Sequence, residues 1–270
     1  MTKHAIAING KHVRPAAVAG IFYPSNPEEL SASIQFYLSQ AAKSIDIPSH
    51  TPPKAIIVPH AGYAYSGLTA AMAYNSILPR ADKVTRVVMM GPCHRIGVVG
   101  LALPSKRAFS TPLGLVPIDA DATAKIIKLD QVRVFDDTHK DDHALEVHLP
   151  FLQTTLNDFS IVPLIVGQTE VDEVAEVLEI LWGGEETLIL ISSDLSHYKS
   201  YKQAQKIDAE TCLAIEKLDN LPLGNQQACG RHSINGLIKV ARDRGLEVTT
   251  SDLRNSGDTA GSKNKVVGYG

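Results

Sequence analysis

Three histidines lie at or shortly after the ends of apolar runs, where the fold could bring their side chains into one pocket. His60 ends the run AIIVPH, His94 follows RVVMMGPC, and His197 follows TLILIS together with Asp194. These apolar runs are short and rich in Val and Ile, as is typical of strands buried on both faces. In open α/β sheets the ligand crevice lies beyond the carboxyl ends of the strands. If the strands are neighbours, we expect these side chains to share a crevice, where imidazole can bind a metal or move a proton.

A cysteine adds a softer donor to this set. Cys229 lies in ACGRHS just before a predicted helix, whose dipole, with Arg231 and His232, favours the thiolate. With His60 and His94 it would make a two-histidine, one-thiolate site with an open position, which suits copper, zinc or iron better than magnesium or calcium. Arg231 and His232 could instead bind a carboxylate or phosphate, or cap the helix.

The segment HALEVH at 143–148 carries further candidates. Its spacing is neither HExxH nor HxxEH, because Val147 separates Glu146 from His148, and this excludes the zinc metalloprotease motifs. We expect Glu146 and His148 to line the pocket, or to orient a metal-bound histidine or carry protons. Tyr63, in PHAGY, is expected beside the pocket, where it could contact a flat substrate or simply pack.

The remaining histidines and cysteines are expected to be structural. Cys212 lies in the helical segment IDAETCLAIEKL and fits a buried apolar filler. Cys93 could be a further ligand, but its side chain should point away if His94 faces the crevice. The histidines expected to have structural or surface roles are His4, His12, His50 and His139.

Helices must separate these strands. Asn26-Pro27-Glu28-Glu29 marks one helix start, and helical patterns cover 67–78, 120–129, 143–156, 171–181, 201–218 and 233–244. VGLALPSKRAFSTPLGLVPID favours a hairpin or an antiparallel edge, and EVTTSDLRNSG with KNKVVGYG favours two further strands. We predict one α/β domain over residues 1–270, with a mixed, largely parallel sheet and helices on both faces.

Composition excludes several classes of protein. The 270 residues include 26 basic and 29 acidic side chains, a net charge of −3 that predicts no direct binding of nucleic acid. Three cysteines cannot form a disulfide framework, and no apolar run is long enough to cross a membrane, so we expect a cytoplasmic protein. A phosphate-binding glycine loop is also missing, which argues against nucleotide-dependent chemistry.

Taken in order, the motifs resemble those of the Memo family, whose prokaryotic members are called AmmeMemoRadiSam system protein B. The matching strings are AGIFYP, AIIVPHAGYAYSG, GPCH, DDHALEVHLPFL, SSDLSHY and ACGRHSI, from about Val13 to the end of the chain. The resemblance implies a fold similar to the class III extradiol dioxygenases. Those enzymes hold non-haem iron with two histidines and a carboxylate, and use another histidine as acid/base.

By this resemblance His60 and His94 match the histidine ligands and His197 matches the acid/base histidine. Cys229 stands where the dioxygenases have a carboxylate, and Asp194 borders the pocket. A thiolate ligand favours softer metals, so we expect iron or copper, with zinc as an alternative, and do not assume ring cleavage.

Two functions from different classes follow. The first is a metal-dependent, dioxygenase-like oxidoreductase acting on a small molecule or peptide. The alternative is a non-catalytic module that uses the crevice to recognise a peptide or an anionic ligand. A hydrolase using Cys229 is disfavoured, because a thiolate bound to metal is not a free nucleophile. The prokaryotic family name also implies a radical-SAM companion protein.

Overall fold

The computed structural model describes residues 10–44, 52–219 and 221–270. His4 and His50, which we expected to be structural, lie outside these ranges. The strands are β1 (Val13–Arg14), β2 (Ala55–Val58), β3 (Arg86–Pro92), β4 (Leu101–Leu103), β5 (Ala108–Thr111), β6 (Gly114–Pro117), β7 (Val132–Val134), β8 (Ser160–Val166), β9 (Thr187–Ser192), β10 (His197–Lys199), β11 (Arg254–Asn255) and β12 (Val266–Tyr269). The α-helices are α1 (Pro27–Ser44), α2 (Tyr63–Ile77), α3 (Ala120–Ile126), α4 (Asp136–Lys140), α5 (Leu149–Thr155), α6 (Val171–Leu181), α7 (Tyr201–Glu216) and α8 (Arg231–Asp243).

A six-stranded sheet in the order β2-β9-β3-β8-β4-β7 forms the centre of the molecule. Its first four strands are mutually parallel, whereas β4 runs antiparallel to β8 and parallel to β7. The predicted mixed, largely parallel sheet is therefore confirmed. Two smaller sheets, β1-β5-β6 and β10-β12-β11, lie beside it.

The central strands are apolar throughout because each supplies two cores. Successive residues of β3 alternate between them: Val87 and Met89 pack on one side with α1, α2 and α5, while Val88 and Met90 pack on the other with α3, α6 and α8. The strand β9 alternates in the same way. Both faces of the sheet are covered, as its uninterrupted Val and Ile runs predict.

Helix starts follow local chemistry where the sequence carries a cap. Asn26 accepts hydrogen bonds through Oδ1 from the backbone N–H groups of Glu28 and Glu29, at 2.9 and 3.0 Å, and α1 begins at Pro27 as predicted. The predicted range 171–181 also matches α6.

One predicted helix is wrong in a way that matters for the site. The range 143–156 is not one helix: a 3-10 turn covers Glu146–His148, and α5 begins at Leu149. The Asp142 carboxylate instead accepts the Ala144 N–H at 2.9 Å, which holds the preceding segment as a turn.

The sequence pattern predicts only some of the strands outside the central parallel group. The strands β5 and β6 form the predicted hairpin, and β11 and β12 are the two predicted C-terminal strands. The sequence pattern predicts none of β1, β7 and β10. Among the described residues, no helix combines the length and the hydropathy that crossing a membrane requires.

Candidate metal centre

Three neighbouring strands deliver the predicted side chains to one edge of the sheet. His60 lies just beyond β2, Asp194 just beyond β9 and His94 just beyond β3, and β9 is hydrogen-bonded between the other two. The expectation that these strands are neighbours is confirmed.

Cys229 reaches the same edge from the loop before α8. Its backbone N–H donates to the Asp194 carbonyl at 3.2 Å, and the next residue, Gly230, donates to Ser193 Oγ at 2.9 Å. A side chain on Gly230 would place a Cβ 2.7 Å from the Ser192 carbonyl oxygen. The loop therefore lies directly against the end of β9, and only glycine permits this approach.

The three expected ligands form a compact cluster. One donor atom from each of His60, His94 and Cys229 lies within 4.8 Å of the others. His60 Nε2 is 3.4 Å from Cys229 Sγ. His60 is buried, whereas His94 and Cys229 are partly exposed, so the cluster opens to solvent on the side of these two residues.

Hydrogen bonds fix both imidazoles through their other nitrogen. His60 Nδ1 lies 2.6 Å from Ser192 Oγ, and its backbone N–H donates to Asp194 Oδ1 at 2.8 Å. His94 Nδ1 lies 3.2 Å from Asp142 Oδ1, and its backbone N–H donates to Oδ2 of the same carboxylate at 2.9 Å. In both residues Nε2 remains as the nitrogen available to a metal, the arrangement found in metal-ligating histidines.

Burial favours the neutral forms of His60 and Cys229 in the metal-free protein. Loss of solvent, reinforced by the neighbouring His94 and His143, lowers the pKa of His60 well below its ordinary value. Loss of solvent around the Cys229 thiol, together with the Asp194 carboxylate, raises the pKa of that thiol to about 12. The helix start and its basic residues were expected to favour the Cys229 thiolate; in the metal-free protein burial and Asp194 favour the thiol instead.

Asp194 and His197 border the cluster. Asp194 Oδ2 lies 4.0 Å from His60 Nε2, and burial raises the pKa of Asp194 to about 6, against the lowering effect of His197. His197 Nδ1 lies 2.8 Å from the Leu195 carbonyl oxygen, so this nitrogen carries the proton and Nε2 is free to accept one. The pairing register shifts between His197 and Lys199, and the intervening Tyr198 has a φ of 57°. Such bulges commonly re-aim a side chain beside a functional site.

The structure adds His143 to the pocket, which sequence reasoning missed. Its ring stacks on His94 with centroids 4.5 Å apart, lies 5.3 Å from the His60 ring, and is flanked by Phe22. Burial lowers the pKa of His143 to about 4. With His94 and Asp142 it forms a second group of potential ligands. The available signal was the pair Asp141 and Asp142 directly before His143, the residue at which the predicted helix 143–156 begins.

His148 and Glu146 lie on different networks. His148 Nε2 is 3.0 Å from Ser192 Oγ, which places it one hydroxyl away from His60. Glu146 is fully buried and binds the N-terminal segment instead, through Arg14, the backbone of Ala17 and Val18, and Tyr23.

The other predicted pocket residues have contacts of their own. Tyr63 is buried against aromatic rings, and its hydroxyl donates to the Val147 carbonyl at 2.8 Å. Arg231 and His232 occupy the first turn of α8. His232 is hydrogen-bonded to the backbone of Thr169, and burial, followed by Arg231, lowers its pKa. Their roles in the pocket stay predictions.

Cys93 and Cys212 have the placement expected of structural cysteines. The Cys93 thiol donates to the Ile96 carbonyl, three residues along the same loop, rather than joining the ligand cluster. Cys212 is buried in α7.

The fold and site together define an α/β protein with a His/His/Cys cluster at the carboxyl edge of its sheet. Residues 14–270 match the sequence model of the family described as Memo-like protein. A MEMO1 family protein of Aquifex aeolicus is 35% identical over 274 residues, which cover 95% of this chain and 97% of that protein. MEMO1 family protein TV1383 of Thermoplasma volcanium is 33% identical over 267 residues, 95% of this chain and 96% of that one. MEMO1 family protein Mbar_A1422 of Methanosarcina barkeri is 33% identical over 276 residues, 95% and 98% of the two chains. The chain belongs to the Memo family.

Proposed function

We propose that the chain binds one transition-metal ion through His60, His94 and Cys229 and uses it in a redox reaction. The observation that carries this proposal is the ligand cluster itself, with donor atoms within 4.8 Å of one another and the opposite nitrogen of each imidazole held by a hydrogen bond. Two imidazoles and a thiolate suit iron, copper or zinc. A bound iron or copper ion would supply electron exchange with a substrate or with dioxygen.

The protein's own groups would handle the protons. Cys229 must lose its proton to become a ligand, because only the thiolate binds a metal strongly. We assign its acceptance to Asp194, whose carboxylate borders the cluster, and to His197 beside it. His197 Nε2, left free by the bond from Nδ1 to the Leu195 carbonyl, is the proposed acid/base atom for the substrate.

The second group of potential ligands is a weaker candidate for the metal position. The Asp142 carboxylate already receives three donors, namely the backbone N–H and Nδ1 of His94 and the backbone N–H of Ala144. A metal held there would compete with these bonds. We therefore assign Asp142 the role of orienting His94, and His143 that of forming the wall of the pocket.

Metal content of protein purified without oxygen tests the proposal. The wild type should contain close to one equivalent of iron, copper or zinc by elemental analysis, and both His60→Ala and Cys229→Ser should lose most of it. Cys212→Ser is the matched control, because this cysteine is buried in α7 outside the cluster and its variant should keep the wild-type content. Full metal retention in His60→Ala would reject the ligand assignment. A wild type that binds no metal after reconstitution would favour the non-catalytic binding module.

A further inference from the structure

A chain of hydrogen bonds leads from His60 into the core. It runs from His60 Nδ1 to Ser192 Oγ at 2.6 Å, from there to His148 Nε2 at 3.0 Å, and from His148 Nδ1 to the Tyr74 hydroxyl at 3.0 Å. All four side chains are at most 1% exposed. Such fully buried polar groups persist only when their hydrogen bonds are satisfied.

We propose that Ser192 is the positioning residue that holds His60 as its Nδ1–H tautomer, so that the Nε2 lone pair faces Cys229. The proposal rests on the proposed metal binding and deepens it, because it explains which nitrogen of His60 the protein prepares as a ligand.

A serine hydroxyl has a single proton to donate. Ser192 Oγ lies 2.6 Å from the Ala144 carbonyl oxygen, which can only accept, so the hydroxyl proton is committed to it. The oxygen then has only lone pairs left for its other two contacts. Both His60 Nδ1 and His148 Nε2 must therefore be N–H donors.

The hydrogen bond between His148 and Tyr74, at the other end of this series, agrees with the assignment. If Nε2 of neutral His148 carries the proton, Nδ1 must be an acceptor, and the Tyr74 hydroxyl is placed to donate to it. Both rings are at most 1% exposed, and burial favours the neutral imidazole, which carries one proton. Every polar atom along the chain then has a partner of the right kind.

The pocket side of His60 also agrees. With Nδ1 protonated, Nε2 is an acceptor, and the Cys229 thiol lies 3.4 Å from it. A protonated thiol at this position can donate to Nε2. His60 and Cys229 would hold a metal ion through these atoms once the thiol proton has left.

Tautomers can be measured directly in the metal-free protein. Long-range ¹H–¹⁵N spectra of protein labelled with ¹⁵N-histidine separate protonated from unprotonated ring nitrogens, and the His60 signals can be assigned by their loss in His60→Gln. We expect Nδ1–H for His60 in the wild type. In Ser192→Ala, Nδ1 loses its acceptor, and we expect a substantial population of the Nε2–H form.

Cobalt(II) alone is the probe for the functional consequence, because its thiolate charge-transfer absorption reports coordination by Cys229. Loss of a group that orients a metal-ligating histidine typically weakens metal binding by about 10- to 100-fold, and we expect this for Ser192→Ala. Ser233→Ala is the matched control: Ser233 is also fully buried, and its hydroxyl has no hydrogen-bond partner among the described residues. Its affinity should stay within about threefold of the wild type.

A second variant separates the hydroxyl of Ser192 from general loosening of the core. Tyr74→Phe removes only the far oxygen, so the His148 spectrum should change while His60 keeps its tautomer and cobalt affinity stays within about threefold. An equally large loss of cobalt affinity in Tyr74→Phe and Ser192→Ala would overturn the proposal. So would an unchanged His60 tautomer in Ser192→Ala, or an unchanged affinity despite a changed tautomer. If the wild type binds no cobalt, the proposed function fails, while the spectra of the metal-free protein still decide the tautomer.

Discussion

The buried carboxylate of Glu146 could support either the metal site or the N-terminal segment, and substitution of Glu146 distinguishes the two roles. It is fully buried and accepts hydrogen bonds from the Arg14 guanidinium, from Ala17 N–H at 2.8 Å, from Val18 N–H at 3.0 Å and from the Tyr23 hydroxyl at 2.6 Å. The sequence placed Glu146 beside the metal site. These contacts instead predict that it anchors the N-terminal segment, so changing it should cost stability rather than metal.

The expected loss in the free energy of unfolding depends on which groups each variant leaves without a hydrogen-bond or ion-pair partner. Glu146→Leu leaves the Arg14 cation, which is only 3% exposed, without its carboxylate partner. Removing one partner of a buried ion pair costs about 3 to 5 kcal/mol. Arg14→Met leaves the carboxylate with its other three donors, so we expect a smaller loss of about 2 to 3 kcal/mol. In the double variant no charge remains. The Ala17 and Val18 N–H groups keep the cost that they have in Glu146→Leu, and the His139 and Asp142 carbonyls, which also accept from Arg14, keep the cost that they have in Arg14→Met.

Urea unfolding of the wild type, both single variants and the double variant measures this directly. We expect the double variant to lose about 2 to 3 kcal/mol less than the sum of the single losses. Losses that add to within about 0.5 kcal/mol would refute the pairing argument. Folded Glu146→Leu should also bind cobalt(II) at wild-type stoichiometry, and loss of cobalt binding would return Glu146 to the pocket role that the sequence suggested.

Two further predictions concern His139, in α4, and Asp142, in the turn that follows α4. His139 is buried, its Nε2 lies 2.9 Å from the Ala102 carbonyl oxygen, and burial lowers its pKa from 6.5 to about 4. The unfolded chain therefore binds more protons between these values, so stability falls as the pH drops from about 6.5 to about 4. His139→Gln keeps a hydrogen-bond donor but cannot titrate. Between about pH 7 and about pH 5, urea unfolding should show that the wild type loses about 2 kcal/mol more stability than this variant. Equal losses in the two proteins would contradict the assignment. Asp142→Asn should weaken cobalt(II) binding by about 10- to 100-fold in a titration, because a neutral amide holds His94 Nδ1–H less strongly, and an unchanged affinity would remove Asp142 from the site.

The sequence predicts the central sheet and its crevice well for a physical reason. Strands buried on both faces must be apolar at every position, so β2, β3, β8 and β9 stand out as uninterrupted runs. Polar residues directly beyond such runs fall at the carboxyl edge whatever the details of packing. His60, His94 and Asp194 are predictable from this rule alone.

Ser192 and His143 could not be found in the same way. Ser192 is the last residue of β9 and reads as part of the strand; its importance depends on which face its side chain takes and on what lies there. His143 follows no strand and precedes apolar residues spaced as in a helix, so local pattern favours the wrong element. Both residues are defined by tertiary contacts, with Ala144 and His60 for the first and with His94 for the second.

The protonation state of Cys229 shows how a correct local argument can lose to a tertiary effect. The thiol does precede the start of α8, but a helix dipole contributes only about 0.3 to 1 kcal/mol at such a position. Burial and the neighbouring Asp194 raise the thiol pKa from 9.0 to about 12, which corresponds to about 4 kcal/mol against the thiolate. Burial and Asp194 therefore outweigh the helix dipole, and in the metal-free protein Cys229 is a thiol that faces His60. Because a metal ion binds the thiolate, its uptake should release a proton, and the affinity should rise with pH for as long as that proton must be displaced.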